Sequence, residues 1–334
     1  GLLGSLKSPG GQYTTGASGS LKLLLETHFP GCIFEGGNTK ASSNTEISSW
    51  PRADRESWKL ARQVVTLSKV KWSINKFGPF KSPGGDGIFP ALLQQGPEAL
   101  LNQVCELFRA SLAYGYIPQA WRLSRVVFIP KRGKADYSAA KSFRPISLSS
   151  FLLKALERLV ERHLRRGVLS DTPLHRNQHA YQSGKSCETA LHQLVSRIED
   201  SLAAKEIALC SFMDIEGAFD NVAYTAMVRG VRCRGVEPAM SKWIDAMLRS
   251  RRIRADLHCE SEVISPTKGC PQGGVLSPLL WNLVVDDLLC ELTNRGVFVQ
   301  GYADDIVLLV QGKFTNIVAD VMNVNLKLVN EWCL

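Results

Sequence analysis

Three aspartates stand at the ends of apolar runs. Ile207-Ala208-Leu209-Cys210-Ser211-Phe212-Met213 ends on Asp214. Further along, Gly301-Tyr302-Ala303-Asp304-Asp305 lies between Val297-Phe298-Val299 and Ile306-Val307-Leu308-Leu309-Val310. Two short strands joined by a tight acidic turn read as a β-hairpin with two carboxylates at its tip. Taken singly, each Asp is an ordinary turn or strand-end residue. Together, three carboxylates at strand ends can hold a pair of Mg²⁺ ions, and two such ions roughly 4 Å apart can clamp an in-line phosphoryl displacement. That is the chemistry of a nucleic-acid polymerase.

The elements that must position these acids are mixed. The spacing predicts a short helix over 21–29, one or two helices from Arg55 to about Phe77, and helical segments over 88–113. Arg125-Val126-Val127-Phe128-Ile129-Pro130-Lys131 reads as a strand entering a basic loop. An amphipathic helix follows at 151–166. Its apolar stripe is Leu152, Leu156, Leu159, Val160 and Leu164, and its other face carries Lys154, Arg158, Arg162, Arg165 and Arg166. A helix at 187–203 precedes the Asp214 strand. Helices at about 222–250 precede a hairpin near 253–268, and after a glycine-rich loop Ser277 and Pro278 supply an N-cap and first residue for a helix to about 294. With the acids on what reads as an antiparallel sheet, the class is α+β. Residues 1–20, rich in Gly, Ser and Thr, read as a mobile linker, and residues 35–49 are polar again.

Composition narrows the partners. The 334-residue chain is 45% hydrophobic and 21% charged, enough for a sizeable core, and its net charge is +9. The charge is uneven: residues 121–185 hold fourteen Lys/Arg against four Asp/Glu, and residues 229–254 hold eight against two. Such surfaces suit a polyanion. The nine cysteines show no C-x-x-C pair and no metal-ligand spacing with the six histidines, so they read as reduced, mostly core residues of an intracellular protein. No apolar run approaches the roughly 20 residues of a membrane span, and there is no signal peptide. The chain lacks an initiator Met and stops inside a helical pattern, so both ends read as cut from a longer polyprotein.

The ordered motifs resemble a known family. Phe212-Met213-Asp214-Ile215-Glu216-Gly217-Ala218-Phe219-Asp220-Asn221-Val222, Gly269-Cys270-Pro271-Gln272-Gly273-Gly274-Val275-Leu276-Ser277-Pro278 and Tyr302-Ala303-Asp304-Asp305 are similar to motifs A, B and C of reverse transcriptases, with the flavour of non-LTR (LINE-like) retrotransposons of the jockey and R1 groups. Upstream, Lys81-Ser82-Pro83-Gly84-Gly85-Asp86-Gly87-Ile88, Ile129-Pro130-Lys131, Phe143-Arg144-Pro145-Ile146-Ser147-Leu148 and Gln178-His179-Ala180-Tyr181-Gln182-Ser183-Gly184-Lys185-Ser186 resemble the family's finger motifs. Glu26-Thr27-His28-Phe29-Pro30-Gly31 is similar to the segment linking endonuclease to polymerase in these elements.

The resemblance implies a right-hand fold of fingers and palm with the thumb absent. Residues 1–54 would be a partly disordered extension, 55–204 mainly fingers, and 205–334 mainly palm. It implies an RNA-directed DNA polymerase that joins a primer 3′-OH to a dNTP with two Mg²⁺ ions, Mn²⁺ being a possible substitute. Its partners would be an RNA template, a DNA primer or target and dNTPs, with no membrane. By the same resemblance Asp214 and Asp304 would ligate both metals with the carbonyl of Ile215, and Asp305 would tune that site. Lys131 and Arg144 would grip the triphosphate, which suits dense negative charge. Phe219 would be the steric gate against a ribose 2′-OH, and Gln272 would lie where glycines let the backbone approach nucleotide and template. Arg158, Arg162, Arg165, Arg166 and Lys185 would form a nucleic-acid-binding surface. The family works in the nucleus or a cytoplasmic ribonucleoprotein.

Two motifs are set aside. Gly184-Lys185-Ser186 is not a P-loop, because the earlier glycine of that pattern falls on His179. Asp286-Asp287 lies within a helix and reads as a solvated or salt-bridged face, and Arg249-Ser250-Arg251-Arg252-Ile253-Arg254 reads equally as solvated or as tracking a nucleic-acid backbone. The alternatives that stay open are a group II intron-type reverse transcriptase and a non-catalytic RNA-binding remnant of a retroelement.

Overall fold

The computed structural model describes residues 5–35 and 52–333. In chain order the elements are α1 (Gly16–His28), β1 (Ile33–Phe34), α2 (Arg55–Val64), α3 (Leu67–Asn75), α4 (Pro90–Gln94), α5 (Glu98–Tyr114), α6 (Gln119–Arg122), β2 (Leu123–Pro130), β3 (Phe143–Leu148), α7 (Phe151–Arg166), α8 (Val168–Asp171), α9 (Cys187–Ala203), β4 (Ile207–Asp214), α10 (Ala218–Asn221), α11 (Tyr224–Cys233), α12 (Pro238–Arg249), β5 (Arg252–Leu257), β6 (Glu260–Ser265), α13 (Ser277–Asn294), β7 (Phe298–Tyr302), β8 (Asp305–Gly312) and α14 (Thr315–Cys333). The chain divides into two compact units, Gly1–Gly167 with Phe219–Ser277, and Val168–Ala218 with Pro278–Leu334. The mixture of helices with an antiparallel sheet under the acids is the α+β class expected.

The first unit is built on a five-stranded sheet of order β1-β6-β5-β2-β3, antiparallel except for the β2–β5 pair. Val126, Ile253, Ala255 and Ile264 project from its strands onto Leu21, Leu25 and Phe29 of the N-terminal segment. Leu6 and Leu24 pack with Ala140 and Phe143. The expectation of a mobile linker over 1–20 therefore fails for the described residues 5–20. Lys7 bridges Tyr13 and Ala139, and Leu6 is 1% exposed. The glycines there serve turns rather than freedom: Gly11 and Gly16 take φ of 84° and 75°, which side chains resist. β1 then extends the sheet edge, and the Glu35 carboxylate accepts from the Arg252 guanidinium and the Ser265 hydroxyl. Residues 1–4, 36–51 and 334 lie outside the described residues, and with them nearly all of the polar stretch 35–49.

Around this sheet the helices begin and end on local signals. Asp54 accepts from Ser57 N at 2.7 Å to start α2. The helical run of 55–77 breaks at Val65, where Thr66 caps α3. α5 stops at Gly115 in a left-handed conformation. α7 buries the stripe expected of it, against α3 and α2.

The second unit has the antiparallel sheet β4-β8-β7. Ile306–Val310 of the central strand β8 are buried without alternation, as a strand covered on both faces must be. α9, started by a Ser186/Thr189 capping box, packs on β4 and β7, and α14 packs on β4 and β8. The segment around Gln178 runs beside β7: Gly301 N donates to Asn177 O at 3.0 Å and His179 N to Gly301 O at 2.9 Å. Glycine at 301 leaves room for this approach: a Cβ there would lie 3.3 Å from the buried Gln178 amide, which would have to give by a few tenths of an ångström. One member of the acidic pair on α13 corrects the sequence reading, while Asp287 is exposed as that reading has it. Asp286 is 2% exposed and accepts from His175 N at 2.6 Å, so it is a buried anchor for the 175–185 segment rather than part of a solvated face.

If residues 5–35 are core, Leu25→Ala should lower the unfolding free energy by about 2–5 kcal/mol, the range for a buried Leu truncation. Urea unfolding followed by tryptophan fluorescence measures this, and an unchanged midpoint would contradict the packing.

Candidate active site

The acids are positioned by sheet register. β4 and β8 pair so that Asp214 lies opposite Asp305. β7 and β8 close with Tyr302 opposite Asp305, leaving Ala303-Asp304 as a two-residue turn. Ile215 N donates to Asp304 O at 3.0 Å, tying the end of β4 to that turn. All three carboxylates are exposed at one end of the sheet. Partial burial, then the charges of Asp304 and Asp214, raise the pKa of Asp305 above the ordinary carboxylate value. Among the described residues no three His, Cys, Asp or Glu side chains converge closely enough to hold a metal ion by themselves. A Mg²⁺ site built from one or two carboxylates and completed by substrate phosphates and waters does not require such a cage.

In the first unit the structure gathers Phe219, Gln272 and a residue the sequence reading did not assign, Asp220. Gln272 Nε2 donates to both Asp220 carboxylate oxygens at 3.0 Å, and Gln272 O accepts from Ser147 N at 3.0 Å. Cys270 N donates to Phe219 O at 2.7 Å, which fixes the half-buried Phe219 against the loop. Gly269 has φ +76°, and a Cβ there would lie 2.5 Å from Asp220 O, so no larger residue fits. Burial raises the Asp220 pKa to about 6, opposed by the Gln272 hydrogen bond and by the charges of Arg251 and Lys131. The same loop is held from its other end by Glu157. This α7 residue is 1% exposed and accepts from Val275 N at 2.7 Å and Leu276 N at 2.9 Å. Its one signal in the sequence was an acid beside Leu156 in an apolar stripe.

The cations divide. Lys131 lies just past β2 in a loop fixed by its N–H to Ser142 O and by the Tyr137 hydroxyl to its carbonyl. Arg144 is exposed on β3, opposite Ile129. The row on α7 does not form one free surface. Arg158 donates to Ser73 O at 3.1 Å and stacks on Phe77, and Arg162 stacks on Trp72, so both guanidiniums pack α3 against α7. Arg165 pairs with Glu161, and Arg166 is exposed. Lys185 donates to the carbonyls of Arg176 and Gln178 within its own loop. The run 249–254 is likewise engaged: Arg251, 7% exposed, donates to the carbonyls of Leu248, Lys268 and Gly269, while Arg252 pairs with Glu35 and Arg254 with Asp256.

Asp220 yields a pH dependence. Its pKa is raised from 3.8 to about 6, so ionisation opposes folding; the stability is whole below about pH 4 and falls as pH rises through about 6. Between those limits the difference between Asp220→Asn and the parent should shift toward the variant by up to about 3 kcal/mol, the linkage equivalent of such a shift. Urea unfolding at pH 4 and 7.5 measures it, and a difference independent of pH would contradict the burial.

The profile of the family described as reverse transcriptase (RNA-dependent DNA polymerase) matches residues 129–334. The RNA-directed DNA polymerase from mobile element jockey of Drosophila melanogaster is 28% identical over 260 residues, covering 76% of this chain and 28% of that protein. The retrovirus-related Pol polyprotein from type-1 retrotransposable element R1 of Bradysia coprophila is 26% identical over 328 residues, covering 96% of this chain and 30% of that protein. The chain thus spans less than a third of the length of these relatives. Among solved structures, apo telomerase from Candida tropicalis superposes with a TM-score of 0.48 at 11% identity, over 67% of this chain and 46% of that one. The relatives come from the mobile elements, jockey and R1, to whose groups the motifs point. With more than half of its residues matched, the chain belongs to the reverse transcriptase (RNA-dependent DNA polymerase) family.

Proposed function

We propose that this chain is polymerase sequence of a non-LTR retrotransposon, extending a DNA primer or nicked target on an RNA template with dNTPs. The observation that carries this reading is the register pair Asp214–Asp305 beside the Asp304 turn, which exposes three carboxylates at one sheet end. Asp214 and Asp304, with the Ile215 carbonyl, would hold two Mg²⁺ ions, with Mn²⁺ as a possible substitute, and Asp305 would modulate their charge. The bound ions supply Lewis-acid stabilisation of phosphoryl transfer. In that transfer the primer 3′-oxygen would give its proton to solvent and bond to the α-phosphorus as the α–β phosphoanhydride bond breaks and pyrophosphate departs.

The remaining roles fall to this chain's own side chains. Lys131 and Arg144 would bind the triphosphate, Arg bidentately. Phe219 would exclude a 2′-OH, and Asp220 would hold the Gln272 amide so that the loop presents a fixed edge to the nucleotide. Of the α7 arginines only Arg166 and, partly, Arg165 are left for nucleic acid, since Arg158 and Arg162 serve helix packing. The work is intracellular, in the nucleus or a cytoplasmic ribonucleoprotein. Among the described residues no helix is long and apolar enough to cross a membrane.

Asp214→Asn and Asp304→Asn should each lower primer extension by on the order of 10³-fold or more, the scale of losing several kcal/mol of charge stabilisation. Fluorescence anisotropy should show template binding largely retained. A variant extending at the parental rate would remove the two-metal assignment. A parental chain that folds and binds RNA but never extends a primer would favour the RNA-binding remnant.

Phe219→Val should raise kcat/KM for rNTP relative to dNTP by about 10-fold or more, the scale for relieving a clash of this size. Single-nucleotide incorporation with each substrate measures the ratio. An unchanged ratio would make Phe219 a packing residue only.

A further inference from the structure

The turn that carries Asp304 is made of residues that disfavour its shape. Ala303 has φ +56°, and among the described non-glycine residues Asp304 is not one with positive φ. A positive φ at the first central residue alone is the pattern of a type II′ turn, where glycine is the preferred residue. Alanine there is strained, and such a conformation persists only where surrounding contacts fix it. Two contacts do so. The indole Nε1–H of Trp281 donates to Ala303 O at 2.8 Å, and Ile215 N donates to Asp304 O at 3.0 Å. Both carbonyls of the turn are therefore held, one by a side chain of α13 and one by the strand end that bears Asp214.

The donor of the first contact is itself fixed. Trp281 is 2% exposed. One residue on, Asn282 donates to Ala180 O at 3.0 Å, and a turn later Asp286 accepts from His175 N, so α13 is tied to the segment that runs beside β7. Among the large apolar side chains only the indole offers an N–H in this place.

We infer that Trp281 is a positioning residue: its N–H holds the Ala303 carbonyl in a conformation that alanine resists, and so keeps Asp304 and Asp305 aimed at the end of β4. This rests on the reading of Asp304 as a metal-holding residue. Without the indole donor only the Ile215–Asp304 hydrogen bond opposes the strain at Ala303, so the turn relaxes more readily and that bond opens more often. The metal-holding geometry is then populated less, which appears as a higher metal requirement rather than a changed rate at saturation.

The test compares Trp281→Phe, Ala303→Gly, the double variant and Asp304→Asn. Hydrogen–deuterium exchange is read at Ile215 and residues 302–305, with α7 as internal control. Mg²⁺ titration of primer extension is read alongside. Trp281→Phe should exchange at Ile215 about 3- to 10-fold faster, the range for losing one hydrogen bond. It should need a similarly higher Mg²⁺ concentration for half-maximal rate, with kcat at saturating Mg²⁺ little changed. Adding Ala303→Gly should restore both readouts toward the parent, because glycine takes the turn without strain. Parental exchange at Ile215 in Trp281→Phe, or no restoration by glycine, overturns the inference. Should Trp281→Phe not fold, Ala303→Gly alone decides: relief of strain raises the thermal midpoint, and a lowered midpoint overturns the claim. Asp304→Asn separates the two levels, since an unchanged Mg²⁺ dependence there defeats the metal reading, while the exchange data still judge the clamp.

Discussion

Like charges at one end of a small sheet repel, and the backbone has to hold them. Side-chain periodicity in a strand is two, so a one-residue slip between β4 and β8 would send Asp214 and Asp305 to opposite faces. The register is fixed by burial of Ile306–Val310 along β8 and by the Ile215–Asp304 hydrogen bond at the sheet end. Everything chemical in the second unit depends on that alignment: the exposed carboxylates, the raised pKa of Asp305 and the turn held by Trp281.

The first unit solves a different problem, that of fixing an irregular loop. Residues 269–276 form neither helix nor strand, and their amides need partners. Asp220 and Glu157 hold this loop at two places along it, one through the Gln272 side chain and one through the Val275 and Leu276 amides. Both carboxylates are held above the usual range by burial. A buried acid that accepts several hydrogen bonds specifies one loop geometry more sharply than apolar packing could, though its ionisation works against folding.

What the sequence made legible was local. The ends of α7, α9 and α13 followed from caps and periodicity, and the hairpin of β7 and β8 from its acidic turn. What it hid was tertiary. Charge alone could not separate Arg166, which is exposed, from Arg158 and Arg162, which stack on aromatics of and just after α3, four helices earlier in the chain. Asp286 read as a surface acid because its partner, the amide of His175, is 111 residues away in sequence. The N-terminal segment read as a linker because the same glycines serve tight turns and free chain, and only the burial of Leu6, Leu21 and Leu25 distinguishes them. Asp220 sat within a quoted motif, yet its bond to Gln272 spans 52 residues and leaves no local trace.

The central claim is that the carboxylates at the β4–β8 end hold the reactive metals. Its most direct test is anomalous diffraction from crystals of the chain soaked with Mn²⁺ in complex with primer, template and an incoming nucleotide. The account requires Mn²⁺ within roughly 2.0–2.3 Å of Asp214 and Asp304 carboxylate oxygens, the usual range for a small divalent ion with oxygen ligands. Ordered nucleotide with Mn²⁺ elsewhere, or none at these two residues, would contradict it.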